Sequence, residues 1–119
     1  MCGSTAYSAV VALQWNSKLF DAAAAHASDM ASNNYFSHNS LDGRTAGQRI
    51  SAAGYAWTAY GENIAAGQDS VAQVMSSWLN SPGHCANIMN GSYTEIGVSC
   101  VSSGSASYPS YWTMDLGRP

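Results

Sequence analysis

The sequence predicts an α+β domain, and three observations carry that prediction. An Ala-rich segment after Asn16 places Leu19, Ala22, Ala23, His26, Ala27 and Met30 on one stripe at i, i+3, i+4 spacing. A second segment repeats the pattern with Val71, Val74, Met75, Trp78 and Leu79. Near the end the period changes to two: Ile96, Val98 and Cys100 alternate with Glu95, Gly97 and Ser99, and Trp112, Met114 and Leu116 alternate with Tyr111, Thr113 and Asp115. Helices first and an antiparallel pair last imply helices packed on a small sheet.

The elements follow in order. Asn16 is the expected N-cap of a helix running to about Asn33, and alanine is the strongest helix former. The stretch from Asn33 to Arg44 carries Asn, Ser and Asp-Gly signals of irregular chain. A short helix is expected over Thr45–Ala53, ended by Gly54. The segment "YAWTAYGENIAAG" mixes aromatic and polar residues and fits neither period. Asp69 or Ser70 caps the second clear helix. Ser81 is the expected cap of a last short helix, with Pro82 at its first position and Asn90-Gly91 at its end. "TEIGVSCV" and "YWTMDL" are the strands, joined by the Ser/Gly/Pro-rich "SSGSASYPS". No internal repeat is visible.

The 119 residues suit a single domain, 1–119, and 46% hydrophobic residues are enough for a core. Charged residues make up 9%, against about 25% in ordinary soluble proteins. Polar uncharged side chains therefore supply much of the surface, a style commoner outside the cell. The basic residues Lys18, Arg44, Arg49 and Arg118 do not cluster, and the net charge is −3. No cationic stripe exists to displace counterions from phosphates, so a nucleic-acid partner is excluded, as is a polybasic membrane anchor. No apolar run approaches the roughly 20 residues of a transmembrane segment, and no signal peptide is visible at the start.

Cys2, Cys85 and Cys100 leave at least one thiol unpaired or linked to another chain. Buried thiols and one disulfide in an oxidising compartment are equally compatible with composition. His38, Glu62 and His84 each sit in a loop or at an element end, where a scaffold presents groups rather than burying them. Two imidazoles and a carboxylate can hold a divalent ion such as zinc with one position open, work as an acid–base set without metal, or form a polar patch for a ligand. His26, on the apolar stripe, reads as a structural histidine. Ser81 lacks a nucleophile-elbow sequence and reads as a cap. Cys85 adjoins His84, but helical neighbours point about 100° apart, which argues against a Cys–His nucleophile. Glu95 opens a strand and is expected to face solvent. Asn90-Gly91-Ser92 matches a glycosylation sequon, a tripeptide common by chance.

Taken together, "YFSH", "GENIAAG", "SSWLNSPGHCANIMN", "EIGV" and "YWTMDLG" resemble, in order, the successive signatures of the CAP superfamily of cysteine-rich secretory, antigen-five and pathogenesis-related proteins, in particular its bacterial SCP-like branch. The resemblance runs from "LQWNSKLFDAAAAHASDMA" to the end. It implies an α-β-α sandwich, with a central antiparallel sheet between helical layers. It also implies that His38, Glu62 and His84 line one cleft that can hold zinc or another divalent cation, with Pro82-Gly83 turning His84 toward it.

Two features depart from the family pattern. Trp78 is followed three residues later by Ser81, where many relatives carry a second glutamate, and one carboxylate fewer weakens cation affinity. Few residues precede "LQW", so the family's first helix is missing or shortened. By the same likeness Cys2–Cys85 is the favoured disulfide and Cys85–Cys100 the alternative. Functionally the resemblance implies a secreted protein, extracellular or periplasmic, acting as a binding module for a lipid, glycan or cell-surface ligand. The alternative is a metal-assisted peptidase or esterase with His38 and His84 on zinc and Glu62 as third ligand or general base.

Overall fold

The structure, a computed structural model, describes residues 12–119. The expectation that the family's first helix is missing or shortened concerns residues outside that range. Strand β1 (Gln14–Trp15) leads into α1 (Ser17–Asn33), then α2 (Ala46–Ala52), β2 (Ala59–Ala66), α3 (Val71–Leu79), α4 (Pro82–Ile88), β3 (Glu95–Ser102) and β4 (Ser110–Arg118). The sheet order is β1-β3-β4-β2. Its main pairings are antiparallel, as expected, but the two-residue β1 runs parallel to β3.

Local chemistry sets the helix ends. The Asn16 side chain accepts from the backbone N–H groups of Lys18 and Leu19, and Asn34 closes α1 in the left-handed conformation. Thr45 and Gln48 form a reciprocal capping box that starts α2. Ser70 caps α3 through the Gln73 N–H.

The strand β4 is buried on both faces, so its alternation separates two layers rather than core from solvent. Trp112, Met114 and Leu116 pack with Val74 and Trp78 of α3. On the opposite face Tyr111 packs with Met30 and Ala31 of α1 and Ile64 of β2. Leu19 and Ala22 of α1 meet Ile50 and Tyr55 around α2. The result is a helical layer on each side of the sheet. The α3 stripe is only half used: Val74 and Trp78 are buried, whereas Val71 and Leu79 are exposed.

Two expectations need correction here. The unassigned segment "YAWTAYGENIAAG" contains β2, which pairs with β4 in the register Glu62↔Asp115 and Asn63↔Met114. Glu95 is half-buried rather than free in solvent: it accepts from the Tyr55 hydroxyl at 2.7 Å and from the Asn16 side-chain amide at 3.1 Å. It ties the α1 cap to the segment after α2, and burial together with this bond raises the Tyr55 pKa.

Candidate functional site

Strand alternation decides how the predicted trio is arranged. Consecutive residues of β2 point to opposite faces, so Glu62 turns toward α1 and α2 while Asn63 turns toward α4. On the α4 side the Asn63 amide donates to the His84 carbonyl at 3.1 Å. Asn87 donates to the Asn63 side-chain oxygen at 2.9 Å and to the Glu62 carbonyl at 3.3 Å. These bonds fix the start of α4 against the β2 backbone. His38, on the loop after α1, stands beside Glu62, close enough to His84 to act on it electrostatically.

The Glu62 side chain is almost fully buried and carries several partners. Arg49 Nη2 donates to both of its oxygens, at 2.9 and 2.8 Å. His38 Nδ1 lies 3.0 Å from Oε1, and His26 Nε2 lies 4.0 Å from the same atom. The cross-strand partner Asp115 is wholly buried. As a carboxylate, both its oxygens would lack a donor. Burial first, and then the neighbouring Glu62, push its pKa well above the ordinary value, which favours the neutral acid. Burial alone would raise the Glu62 pKa. The bonds from His38 and Asp115 and the charges of Arg49 and His26 overcome this and lower it to about 2. Glu62 is thus a buried, ionised, fully partnered carboxylate.

The other members of this network are fixed in turn. Arg49 Nη1 donates to Ser40 Oγ at 3.0 Å and to the Arg44 carbonyl at 3.3 Å. His26 Nε2 donates to the Ser37 carbonyl at 2.8 Å, holding the loop that carries His38. His26 is structural, as its place on the stripe predicts, but only half satisfied: its Nδ1 has no partner. Desolvation is the main reason its pKa is lowered.

His84 is half-buried near the start of α4. Ser81 precedes that helix but its side chain does not cap it; the hydroxyl instead lies 2.9 Å from His84 Nδ1. This corrects the expected role of Ser81 from helix cap to positioner of the imidazole. Burial, and then the charge of His38, lower the His84 pKa and keep the ring neutral at pH 7. A groove of about 270 Å³ opens beside it, lined among others by Phe36, Ile64, Gln68, Trp78 and Tyr108. The rings of Phe36 and Tyr108 are exposed and stand 6.2 Å apart.

Metal binding by all three predicted residues finds no support in this geometry. Among the described residues no group of three His, Cys, Asp or Glu side chains is placed to hold a metal ion. Glu62 is bonded to Arg49, whose charge repels a cation at that carboxylate. His38 and His84 fit an ion better: in each, Nδ1 is engaged and Nε2 is left over, the pattern seen in metal-bound imidazoles.

Sequence reasoning did not find Arg49, Asp115 or His26 as members of the network. Arg49 shares a face of α2 with the buried Ala46 and Ile50, and it is the only charged side chain in that helix. Asp115 is signalled only as the one carboxylate of β4, set between Met114 and Leu116. Cys100 carries a free, exposed thiol, so the alternative Cys85–Cys100 bond is not formed. Cys85 is buried, and Cys2, its favoured partner, lies outside the described residues.

Comparison with known proteins gives a consistent result. The model of the cysteine-rich secretory protein family, CAP, matches residues 6–116. YkwD of Bacillus subtilis is 40% identical over 93 residues, which is 78% of this chain but only 36% of that protein. An extracellular protein containing an SCP domain from Bacillus anthracis superposes with a TM-score of 0.81 at 34% identity, over 92% of this chain and 35% of that one. An outer surface protein of Borrelia burgdorferi shares the fold, with a TM-score of 0.82 at 24% identity over 92% of this chain and 79% of that chain. Among the described residues no helix is long and apolar enough to cross a membrane.

Proposed function

The chain belongs to the cysteine-rich secretory protein (CAP) family, and on that premise we propose that it is an extracellular binding module whose groove beside His84 receives a glycan. The observation that carries this reading is the state of Glu62. A general base works best with a pKa near the working pH, and a carboxylate held at about 2 by its partners takes up protons poorly. The hydrolase reading needs Glu62 as base or third metal ligand, and Arg49 already binds both of its oxygens.

The groove has the chemistry of sugar recognition. Phe36 and Tyr108 offer exposed faces for stacking, while Gln68, Ser77, Ser81 and His84 offer hydrogen-bonding groups to hydroxyls. The extracellular setting is supported by the description of the Bacillus anthracis relative and by the scarcity of charge. A Cys2–Cys85 disulfide belongs to the same proposal. Non-reducing peptide mapping is expected to recover the two cysteines in one linked peptide; recovery of both as free thiols would exclude it.

A divalent ion such as zinc would be held at the lip of the groove by His38 and His84 alone, and would supply a Lewis-acidic contact for a ligand oxygen. Two neutral imidazoles give modest affinity. Protonation competes with the ion, so affinity is expected to fall as pH drops through and below about 6.5.

Titration calorimetry tests both parts. An N-acetylglucosamine trimer is expected to bind, with affinity falling about tenfold, or roughly 1.4 kcal/mol, in Phe36→Ala or Tyr108→Ala. Zinc binding is expected to be lost in His84→Ala. Trimer affinity unchanged by both aromatic substitutions would remove the groove reading. Peptide or ester turnover that disappears with His84→Ala would establish the hydrolase instead.

A further inference from the structure

Strand β3 has β4 along one side, but β1 covers only Glu95 and Ile96 on the other. Among the described residues no strand pairs with the rest of that edge, from Gly97 to Ser102. The Ile96 carbonyl accepts from the Asn16 N–H on the β1 side, and the Ser103 N–H donates to the Pro109 carbonyl on the β4 side. Backbone groups alternate in direction along a strand. The N–H and C=O of Val98, Cys100 and Ser102 therefore face the open edge, while those of Gly97, Ser99 and Val101 serve the ladder to β4.

Edge strands are ordinarily guarded by charged side chains, proline or a covering segment. Residues 97–102, "GVSCVS", have no charge and no proline. Cys100 and Ser102 are exposed, and Cys100 carries a free thiol. Trp15 and Val71, which line an apolar depression of about 440 Å³ together with Cys100, are exposed as well.

We propose that this edge is a self-association surface, where β3 of a second copy pairs antiparallel with β3 of the first. Hydrogen-bonding complementarity selects that occupant. In an antiparallel ladder, residues that exchange both bonds stand directly opposite one another. A two-fold axis at Cys100 puts Cys100 opposite its own copy and Val98 opposite Ser102. Every outward N–H then meets an outward carbonyl, and the one surface matches itself, as a two-fold interface requires. No charged side chain in the paired segment opposes its own copy, and the exposed Trp15 and Val71 give the pairing apolar surface to cover. A strand of another protein can use the same backbone groups, but no charged side chain on this edge selects one. The ladder is short, so the dimer is weak, with a dissociation constant on the order of 100 µM. The surface is distinct from the groove beside His84 and does not depend on the glycan reading.

Sedimentation equilibrium of the full chain under reducing conditions, from about 10 µM to 1 mM, measures the association. Wild type and Cys100→Ser are expected to dimerise alike. Cys100→Lys sets two like charges face to face on the axis and is expected to weaken the dimer at least about tenfold. Amide hydrogen exchange locates the surface. Protection at Val98, Cys100 and Ser102 is expected to rise with concentration, while Ser99 and Val101, already bonded to β4, stay unchanged. Cys100 also serves as a reporter, because residues so paired have Cα atoms about 5.5 Å apart, within the span of a disulfide. Oxidised glutathione is expected to link two copies through Cys100: the Sγ–Sγ bond forms as the glutathione disulfide is reduced to two thiols. A chain still monomeric at about 1 mM would overturn the proposal and leave the edge to another protein's strand. So would a dimer whose protection misses the alternate residues, one that Cys100→Lys leaves intact, or one that glutathione does not link. Should Cys100→Lys fail to fold, the exchange pattern of the wild-type chain decides.

Discussion

Replacing Glu62 with alanine is expected to lower the unfolding free energy by about 3–5 kcal/mol, because Arg49 is left as a buried charge with no counter-ion. Arg49 is almost wholly buried, and its other bonds go to Ser40 and a carbonyl, neither of which is an anion. Urea denaturation at pH 7 measures the loss. The double substitution Arg49→Met with Glu62→Met is expected to recover more than half of it, since apolar side chains replacing both members of a buried pair leave no charge exposed to the core.

The same carboxylate makes the fold acid-sensitive. Its folded pKa is depressed from 4.5 to about 2. Its contribution is therefore complete above about 4.5 and lost as pH falls through about 2. Asp115 acts in the opposite sense: its pKa is raised, so its contribution is complete below the ordinary carboxylate value and is lost as pH rises through the raised one. In Glu62→Gln the acid limb of the stability profile is expected to flatten. A cost below about 1 kcal/mol for Glu62→Ala, in the range of an exposed ion pair, would mean that Arg49 does not hold this carboxylate in solution. Glu62 would then be free to act as a base.

Which parts of this network could be read from the sequence follows from where burial is encoded. The α1 stripe from Leu19 to Met30, its Asn16 cap and the Ile96–Val98 alternation are local patterns, and the fold repeats them. By contrast, β2 was illegible because Gly61, Glu62 and Asn63 interrupt any apolar period, although all three are buried. The polar side chains are satisfied by residues distant in sequence: Glu62 by Arg49 and His38, Asn63 by His84 and Asn87. Such pairing leaves no local trace. The same holds for Glu95, whose partners Tyr55 and Asn16 come together only when α1 docks on the sheet. Family likeness pointed to His38 beside Glu62, but not to Arg49, which holds both oxygens of that carboxylate.

That docking rests on one position with no side chain, and Gly97→Ala is expected to cost more than about 4 kcal/mol, enough to unfold much of a domain of ordinary stability. A Cβ at Gly97 would stand 2.1 Å from the Phe20 nitrogen and 2.4 Å from the Leu19 carbonyl carbon. Both are backbone atoms of α1, so no rotamer relieves the clash, and the helix must retreat by more than about 1 Å to reach normal contact. Retreat strips Leu19 from its cluster and draws His26 away from Ser37 and Glu62. The network around Glu62 would thus be lost along with the core. Gly83→Ala is the control: nothing lies within 4 Å of its added Cβ, and the substitution is expected to be neutral or to stabilise α4 by up to about 1 kcal/mol. Urea unfolding of the two variants separates the explanations. If Gly97→Ala unfolds like Gly83→Ala, α1 does not lie against β3 at this distance, and the position of His26 beside Ser37 and Glu62 is no longer supported.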